Sequence, residues 1–286
     1  MKKSDGFCGY GWMVDNILAY GSPYGSDEVM INETEQQKPH LSPSSIGQYL
    51  RCPAQYMYSK VIGVRVPPTA SQIKGRAIHK GAEINFRHKL ETKENLPIKD
   101  VLEAAADEFE RGAAEVELEE NEDIGQIKDT TIKLTKLYYD ELGTKIQPAL
   151  VEQKIVIDIP GSNYCMVGFI DLVDDQGNIL DIKTRSRTPS QQEADKDFQL
   201  TVYSWLYRNF TGNAEAGVGL DCVVEKKAPE IVRISSKRTD ADINRMLNVS
   251  RMVIHAIESA VFVPNHTNMM CSPKACKFWD VCHRDF

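Results

Sequence analysis

Gly168-Phe169-Ile170-Asp171, followed ten residues on by Asp181-Ile182-Lys183, places two carboxylates and an amine where they could share one reaction. Residues 164–173 and 178–184 are rich in strand formers. Asp174-Asp175-Gln176-Gly177 between them is a turn signal, so the stretch predicts an antiparallel pair. Side chains alternate along a strand, which puts Asp181 and Lys183 on one face. With the turn centred near Gln176, Asp171 lies opposite or almost opposite Asp181, and a one-residue slip would undo this. Facing carboxylates repel unless something positive sits between them. A divalent ion preferring hard oxygen ligands, magnesium or manganese rather than zinc, suits that place beside Lys183. Such an ion stabilises charge on a scissile phosphate and acidifies an attacking water. The lysine can orient that water or offset the developing charge. The plainer alternative is two surface carboxylates near a turn with Lys183 as their ion-pair partner, and on the hairpin alone the two readings stand level.

Two helical segments add candidates. Residues 71–90 place His79 and Glu83 four apart on one face, and residues 192–209 align Gln199 with Tyr203. A lone helical histidine is more often structural than a ligand, and Gln199 and Tyr203 equally suit the boundary of a half-buried helix. Cysteines form a third group: Cys271, Cys276 and Cys282 near the C-terminus, with Cys52 far upstream. Seven cysteines and no signal peptide point to reduced thiols in a cytoplasm. Three close cysteines and one remote one satisfy a four-thiolate site, for an iron–sulfur cluster or for zinc. The paired C-x-x-C knuckles frequent in structural zinc sites are missing. His283, beside Cys282, is an alternative ligand. Cys165 and Cys222 sit in apolar strand-like runs and read as small buried hydrophobes, and Cys8 also falls outside the four.

The order His79, Gly168-Phe169-Ile170-Asp171, Asp181-Ile182-Lys183 and Gln199-Leu200-Thr201-Val202-Tyr203 resembles the RecB-like nucleases of the PD-(D/E)XK superfamily. The resemblance covers roughly residues 41–286 and implies a restriction-endonuclease-like α/β fold. It implies that His79, Asp171 and Asp181 bind the metal and that Lys183 is catalytic. Gln199 and Tyr203 would flank the site and hold substrate or the lysine. One cysteine before the core and three after it is similar to the iron–sulfur members, among them AddB-type nuclease domains and CRISPR-associated adaptation nucleases. By that likeness Cys52, Cys271, Cys276 and Cys282 carry a [4Fe–4S] cluster, with structural Zn²⁺ as the alternative, and the cluster staples the C-terminal tail to the segment around Cys52. The implied activity is a Mg²⁺- or Mn²⁺-dependent DNA exonuclease acting on single-stranded or frayed ends in recombination, repair, or phage or CRISPR DNA processing. Protein partners in a recombination or adaptation complex go with it, and the location is cytoplasmic, nucleoid-associated or within an infected host cell. The alternative class is a non-catalytic nucleic-acid-binding subunit, against which the intact acidic, lysine and histidine positions speak.

The elements that must position these residues are legible in outline. At 286 residues and 42% hydrophobic content the chain can bury a full core, and no apolar run is long enough to span a membrane. Residues 1–40 read as a loosely ordered leader and 41–286 as one catalytic domain. Ser42-Pro43 opens a helix to about Arg51, and Cys52-Pro53 opens another through Tyr58. Helices follow at about 71–90, 98–118, 124–145, 192–209 and 238–260, with strands at about 149–158, 163–173, 178–184, 216–225 and 230–235. The outcome is a mixed sheet flanked by helices, with residues 98–147 as a helical insertion and 265–286 as a cysteine tail. A net charge of −7 is unusual for a nucleic-acid binder. Its distribution is uneven: residues 107–123 hold nine acidic residues and one basic, whereas Lys74, Arg76, Lys80, Arg185 and Arg187 flank the motifs and could neutralise phosphates in a narrow channel. No phosphate-binding G-x-x-x-x-G-K-[S/T] loop is present.

Overall fold

The computed structural model describes residues 38–120 and 122–286, so the expected leader lies outside the described residues except for its last three. There the chain already belongs to the fold. Strand β1 (His40–Leu41) runs parallel to the start of β3 (Cys165–Asp174), and Leu41 is buried. The remaining strands are β2 (Pro148–Asp158), β4 (Asn178–Arg185), β5 (Gly217–Val224) and β6 (Glu230–Ser236). The sheet runs β1-β3-β4-β5-β6, and β2 takes the other edge of β3. Strand β4 is parallel to β5, and β2, β4 and β6 are antiparallel to their remaining partners. All eight residues of β5 are buried, as in a strand covered on both faces, and its one charged side chain, Asp221, accepts from Arg233 at 2.6 and 2.7 Å.

One helical layer consists of α3 (Ala70–Thr92), α4 (Ile98–Ala113) and α5 (Ile124–Tyr138), which is prolonged by a π-helical turn at Tyr139–Gly143. Ile78, Phe86, Leu134 and Tyr138 of this layer bury one face of the sheet with Leu172, Leu180, Ile182 and Val223. Glycine makes the close packing feasible: a Cβ on Gly81 of α3 would lie 2.8 Å from Thr135 Cγ2 and 3.3 Å from the Val101 carbonyl. The other face packs against α1 (Pro43–Arg51), α7 (Phe198–Thr211) and α8 (Asp240–Glu258) through Ile46, Leu200, Leu206 and Met246. Among the described residues no helix is long and apolar enough to cross a membrane.

Three expectations need correction. The helix expected to 118 stops at Ala113, and the acidic run beyond it is irregular, since a dense run of like charges opposes helical closure. The helix expected over 192–209 is two: α6 (Gln191–Lys196) and α7, broken at Asp197. Asp197 is extended (ψ 117°) and its carboxylate caps Leu200 N at 2.8 Å, so it starts a new helix. The helix opening at Cys52-Pro53 is α2 (Pro53–Tyr56), which passes into a π-helical turn at Met57–Val61. The tail holds one short helix, α9 (Trp279–Asp285).

Candidate active site

The site lies where β3 and β4 part. These strands pair only at Leu172↔Leu180 and Val173↔Ile179, and the next step of that register sets Asp171 against Asp181. The turn before β4 is tied by Asp174, whose carboxylate accepts from Gln176 N (3.0 Å) and Asn178 N (2.8 Å), with Gly177 at φ +82°. Beyond the last pair, Ile182 turns its backbone groups to side chains. Its N–H donates to Asp171 Oδ2 at 3.0 Å, and its carbonyl accepts from His79 Nε2 at 2.6 Å. That bond fixes the proton of His79 on Nε2, which leaves Nδ1 facing Asp171 Oδ2 at 3.4 Å.

Opposite Asp171 on its other edge stands Glu152 of β2, flanked by the pairs Val151↔Leu172 and Gln153↔Ile170. Ligand atoms of His79, Glu152 and Asp171 all lie within 4.8 Å of one another. Glu152 has φ 46°, a left-handed backbone that costs energy for any residue with a Cβ. Burial, then the charges of Asp171 and Glu83, push its carboxyl up to about 8 against the pull of Arg87 and Lys80. Glu83 itself is engaged by Lys80 (2.9 Å) and Arg87 (2.7 Å).

On the β4 side, Lys183 Nζ donates to Asp181 Oδ1 and to Gln199 Oε1, both at 3.0 Å. Gln199 Nε2 donates in turn to Asp181 Oδ1 (2.9 Å) and to the Tyr203 hydroxyl (2.6 Å). Asp181 Oδ2 lies 2.8 Å from Nζ as an ion pair, yet it is shut from solvent and accepts no hydrogen bond. Burial first, then Asp171, raises the Asp181 carboxyl although Lys183 opposes this. Burial pulls the Lys183 ammonium down, but Asp181, Asp171 and Asp197 together leave it raised. Tyr203 is driven far up by burial and by the charges of Asp171 and Asp181. Three carboxyls thus share the site with one ammonium, and ligand atoms of His79, Glu152 and Asp171 converge where a bound cation would displace the proton that burial favours on Glu152. That donor set fits a hard divalent cation.

The structure brings His79, Asp171, Asp181, Lys183, Gln199 and Tyr203 together. It divides them into a His79–Asp171 side and an Asp181–Lys183–Gln199–Tyr203 side. Glu152 is the residue that sequence reasoning missed. Its only sequence signal is a glutamate inside a strand between Val151 and Ile155. Of the flanking cations, Lys74 pairs with Glu225, Lys80 with Glu83, and Arg187 faces Glu193 at 3.9 Å.

Cys52, Cys271, Cys276 and Cys282 line one small cavity together with Tyr58 and Phe278. Cys52 Sγ accepts from Asn265 N and Cys276 Sγ from Gln55 Nε2, both at 3.4 Å. Among the described residues no three cysteine sulfurs come within 4.8 Å of one another. His283 stacks on Trp279 with ring centroids 3.7 Å apart. Cys165 and Cys222 are buried in the strands as expected, and Cys8 lies outside the described residues.

A mixed sheet between helical layers, with a His/Glu/Asp cluster where two strands diverge, defines a nuclease-like class of fold and site. The family model of the PD-(D/E)XK nuclease superfamily matches residues 40–283, and the chain belongs to that superfamily. Among solved structures it is similar to a Eubacterium rectale protein described as a "putative exonuclease", with a TM-score of 0.57 at 13% identity over 85% of this chain and 87% of that one. A second, SSO0001, has a TM-score of 0.35 at 16% identity over 80% of this chain and 93% of that one, too distant in structure to weigh. No curated protein matches the chain.

Proposed function

We propose that this protein is a Mg²⁺- or Mn²⁺-dependent DNA exonuclease of the RecB-like type, acting on single-stranded or frayed ends. The observation that carries the reading is the convergence of His79, Glu152 and Asp171 ligand atoms beside an ammonium fixed at 3.0 Å from both Asp181 and Gln199. His79, Glu152 and Asp171 would hold the ion, with Asp181 facing it from β4. Bound there, the ion supplies charge to the scissile phosphate and lowers the pKa of a water. Lys183 stays protonated between its two acceptors, placed to offset negative charge that develops on the phosphate. Gln199 spends both ends of its amide on holding that lysine and its carboxylate in place, and Tyr203 locks the amide's orientation.

The four cysteines are proposed to hold a [4Fe–4S] cluster. In support, they share a cavity and two of their sulfurs accept N–H bonds. Zn–S bonds of about 2.3 Å would draw the sulfurs of a tetrahedral zinc site closer than these stand. Iron and labile sulfide in equal amounts would support the cluster, and one zinc per chain would replace it. We place the protein in recombination, repair or CRISPR adaptation, with partner proteins of such a complex.

The deciding experiment is degradation of an end-labelled single strand by anaerobically purified protein with Mn²⁺ or EDTA, beside Lys183→Ala. Metal-dependent loss of label that falls at least about 100-fold in the variant supports the assignment. Equal cleavage of circular single strands would remove the requirement for ends. Inactivity of cluster-loaded protein on every substrate would leave a non-catalytic nucleic-acid-binding subunit.

A further inference from the structure

Arg185 ends β4 on the face that carries Asp181 and Lys183, because residues two apart on a strand share a face. Its backbone is locked into the sheet: it pairs with Val224, and its carbonyl accepts from Glu225 N at 2.7 Å. The side chain is half-buried, with Nε shut from solvent and unbonded, and no acceptor among the described residues meets its guanidinium. Shutting one N–H of a guanidinium from water with nothing to bond is costly. The other cations at the site avoid that cost. Lys74, Lys80 and Arg187 face carboxylates, and Arg76 stands in solvent. Glu193, the nearby acid on α6, is already occupied by Ser190 N at 3.1 Å and faces Arg187.

We propose that Arg185 holds the phosphodiester next to the scissile one, so that the cations at 183 and 185 engage successive phosphates of one strand; this rests on the nuclease reading of the site. Two strand residues span about 6.6 Å, a step of the order of one nucleotide in an extended chain. A guanidinium presents a fork that matches two phosphate oxygens, whereas Lys183 acts as a point charge at the reacting group. Arg185 is therefore a positioning residue, and it sets the direction in which the strand leaves the site.

The test reads binding separately from turnover. Full-length Lys183→Ala with Mn²⁺ is compared with Lys183→Ala/Arg185→Gln on an end-labelled single strand by anisotropy, across a salt series. The double variant should bind about tenfold more weakly, and its log–log salt slope should be shallower by about 0.7, the value for one phosphate contact on a single strand. A strand whose charge is removed at one linkage by methylphosphonate should bind Lys183→Ala less well when that linkage adjoins the cleaved one, and the double variant should be indifferent there. Equal slopes and equal responses at every linkage overturn the assignment. With Lys183 intact, Arg185→Lys should raise KM and keep most of kcat. An arginine that serves structure alone would lower the melting temperature and leave KM and the salt slope unmoved, which also overturns the proposal. If the wild type cleaves DNA and Arg185→Gln keeps its KM, only the role of Arg185 falls. If the wild type neither binds nor cleaves any strand, the nuclease reading falls with it.

Discussion

Glu152, Asp171 and Asp181 bring three carboxyls into one site, where burial first and then the charge of Asp171 raise the carboxyls of Glu152 and Asp181. Neutralising one of them separates metal binding from folding. Glu152→Gln should lower Mn²⁺ affinity at least tenfold, the least that even outer-shell changes usually cost, with titration calorimetry as the readout. The metal-free melting temperature should hold or rise, because a buried like-charge contact is gone. Undiminished Mn²⁺ binding would show that Glu152 is a bystander. Gln199 acts differently, since it touches the lysine and its carboxylate but no atom of the His79 side. Gln199→Ala should therefore cut kcat and leave Mn²⁺ affinity unchanged. Tyr203→Phe removes one acceptor of the Gln199 amide and should cost only about 1 kcal/mol in kcat, with Mn²⁺ affinity again unchanged.

The elements fit together at a few close approaches, and Gly168 marks the tightest around the site. A Cβ there would lie 2.5 Å from Leu206 Cδ1 and 3.3 Å from Tyr203 Cε1, so α7 presses directly on β3. Gly168→Ala should destabilise the fold by about 1–3 kcal/mol and move Tyr203 out of line; adding Leu206→Ala should recover part of the loss, and no change in denaturation midpoint would mean that α7 yields freely. A second joint is Arg208 of α7, which grips Glu215 before β5 through two hydrogen bonds of 2.8 Å and also reaches Asp240 at the start of α8. Burial raises the Glu215 carboxyl, but Arg208 and Ser204 bring its net value below the ordinary one. A carboxyl depressed by folding stabilises above its unfolded pKa, about 4.3, and that contribution fades as pH falls through the lower folded value. Glu215→Gln should therefore cost stability at pH 7 and little at pH 3, as read from urea midpoints; an equal cost at both would remove the ion pair from the account. What was legible follows from local rules. The β3–β4 pair could be read because its alternation and its Asp-Asp-Gln-Gly turn agree, and the pair carries Asp171, Asp181 and Lys183 with it. The break at Asp197 is written locally as well, though helix-forming neighbours mask it. Strand β1 is too short to show any period. The left-handed turn that aims Glu152 arises from tertiary packing, so no residue pattern announces it.

Over the whole molecule, order in the last twenty residues depends on the other end of the chain. The tail has little regular structure, and its side chains reach back to α1 and to the π-helical turn after α2: Tyr58 stacks on Phe278 and donates to Asp285 at 2.9 Å, while Asn265 and Asn268 donate to the Arg51 carbonyl at 3.0 and 3.1 Å. The cavity with four cysteines lies within these contacts. If the thiolates share a cluster, Cys52 and Cys271 close a loop of more than two hundred residues. By the chain-entropy rule for disulfides, a link of that length restrains the unfolded chain by about 5 kcal/mol. At a few degrees per kcal/mol for a chain of this size, its loss should lower the melting temperature by roughly 10 °C. Cys276→Ser and iron chelation should each produce that drop, together with faster amide exchange in residues 265–286 and in α1 and α2. The interior of β5, enclosed by the rest of the sheet, should stay protected until global unfolding. A Cys276→Ser protein that melts with the wild type would mean that packing of Tyr58 and Phe278 alone holds the tail, and the cysteines would then need a role other than closure.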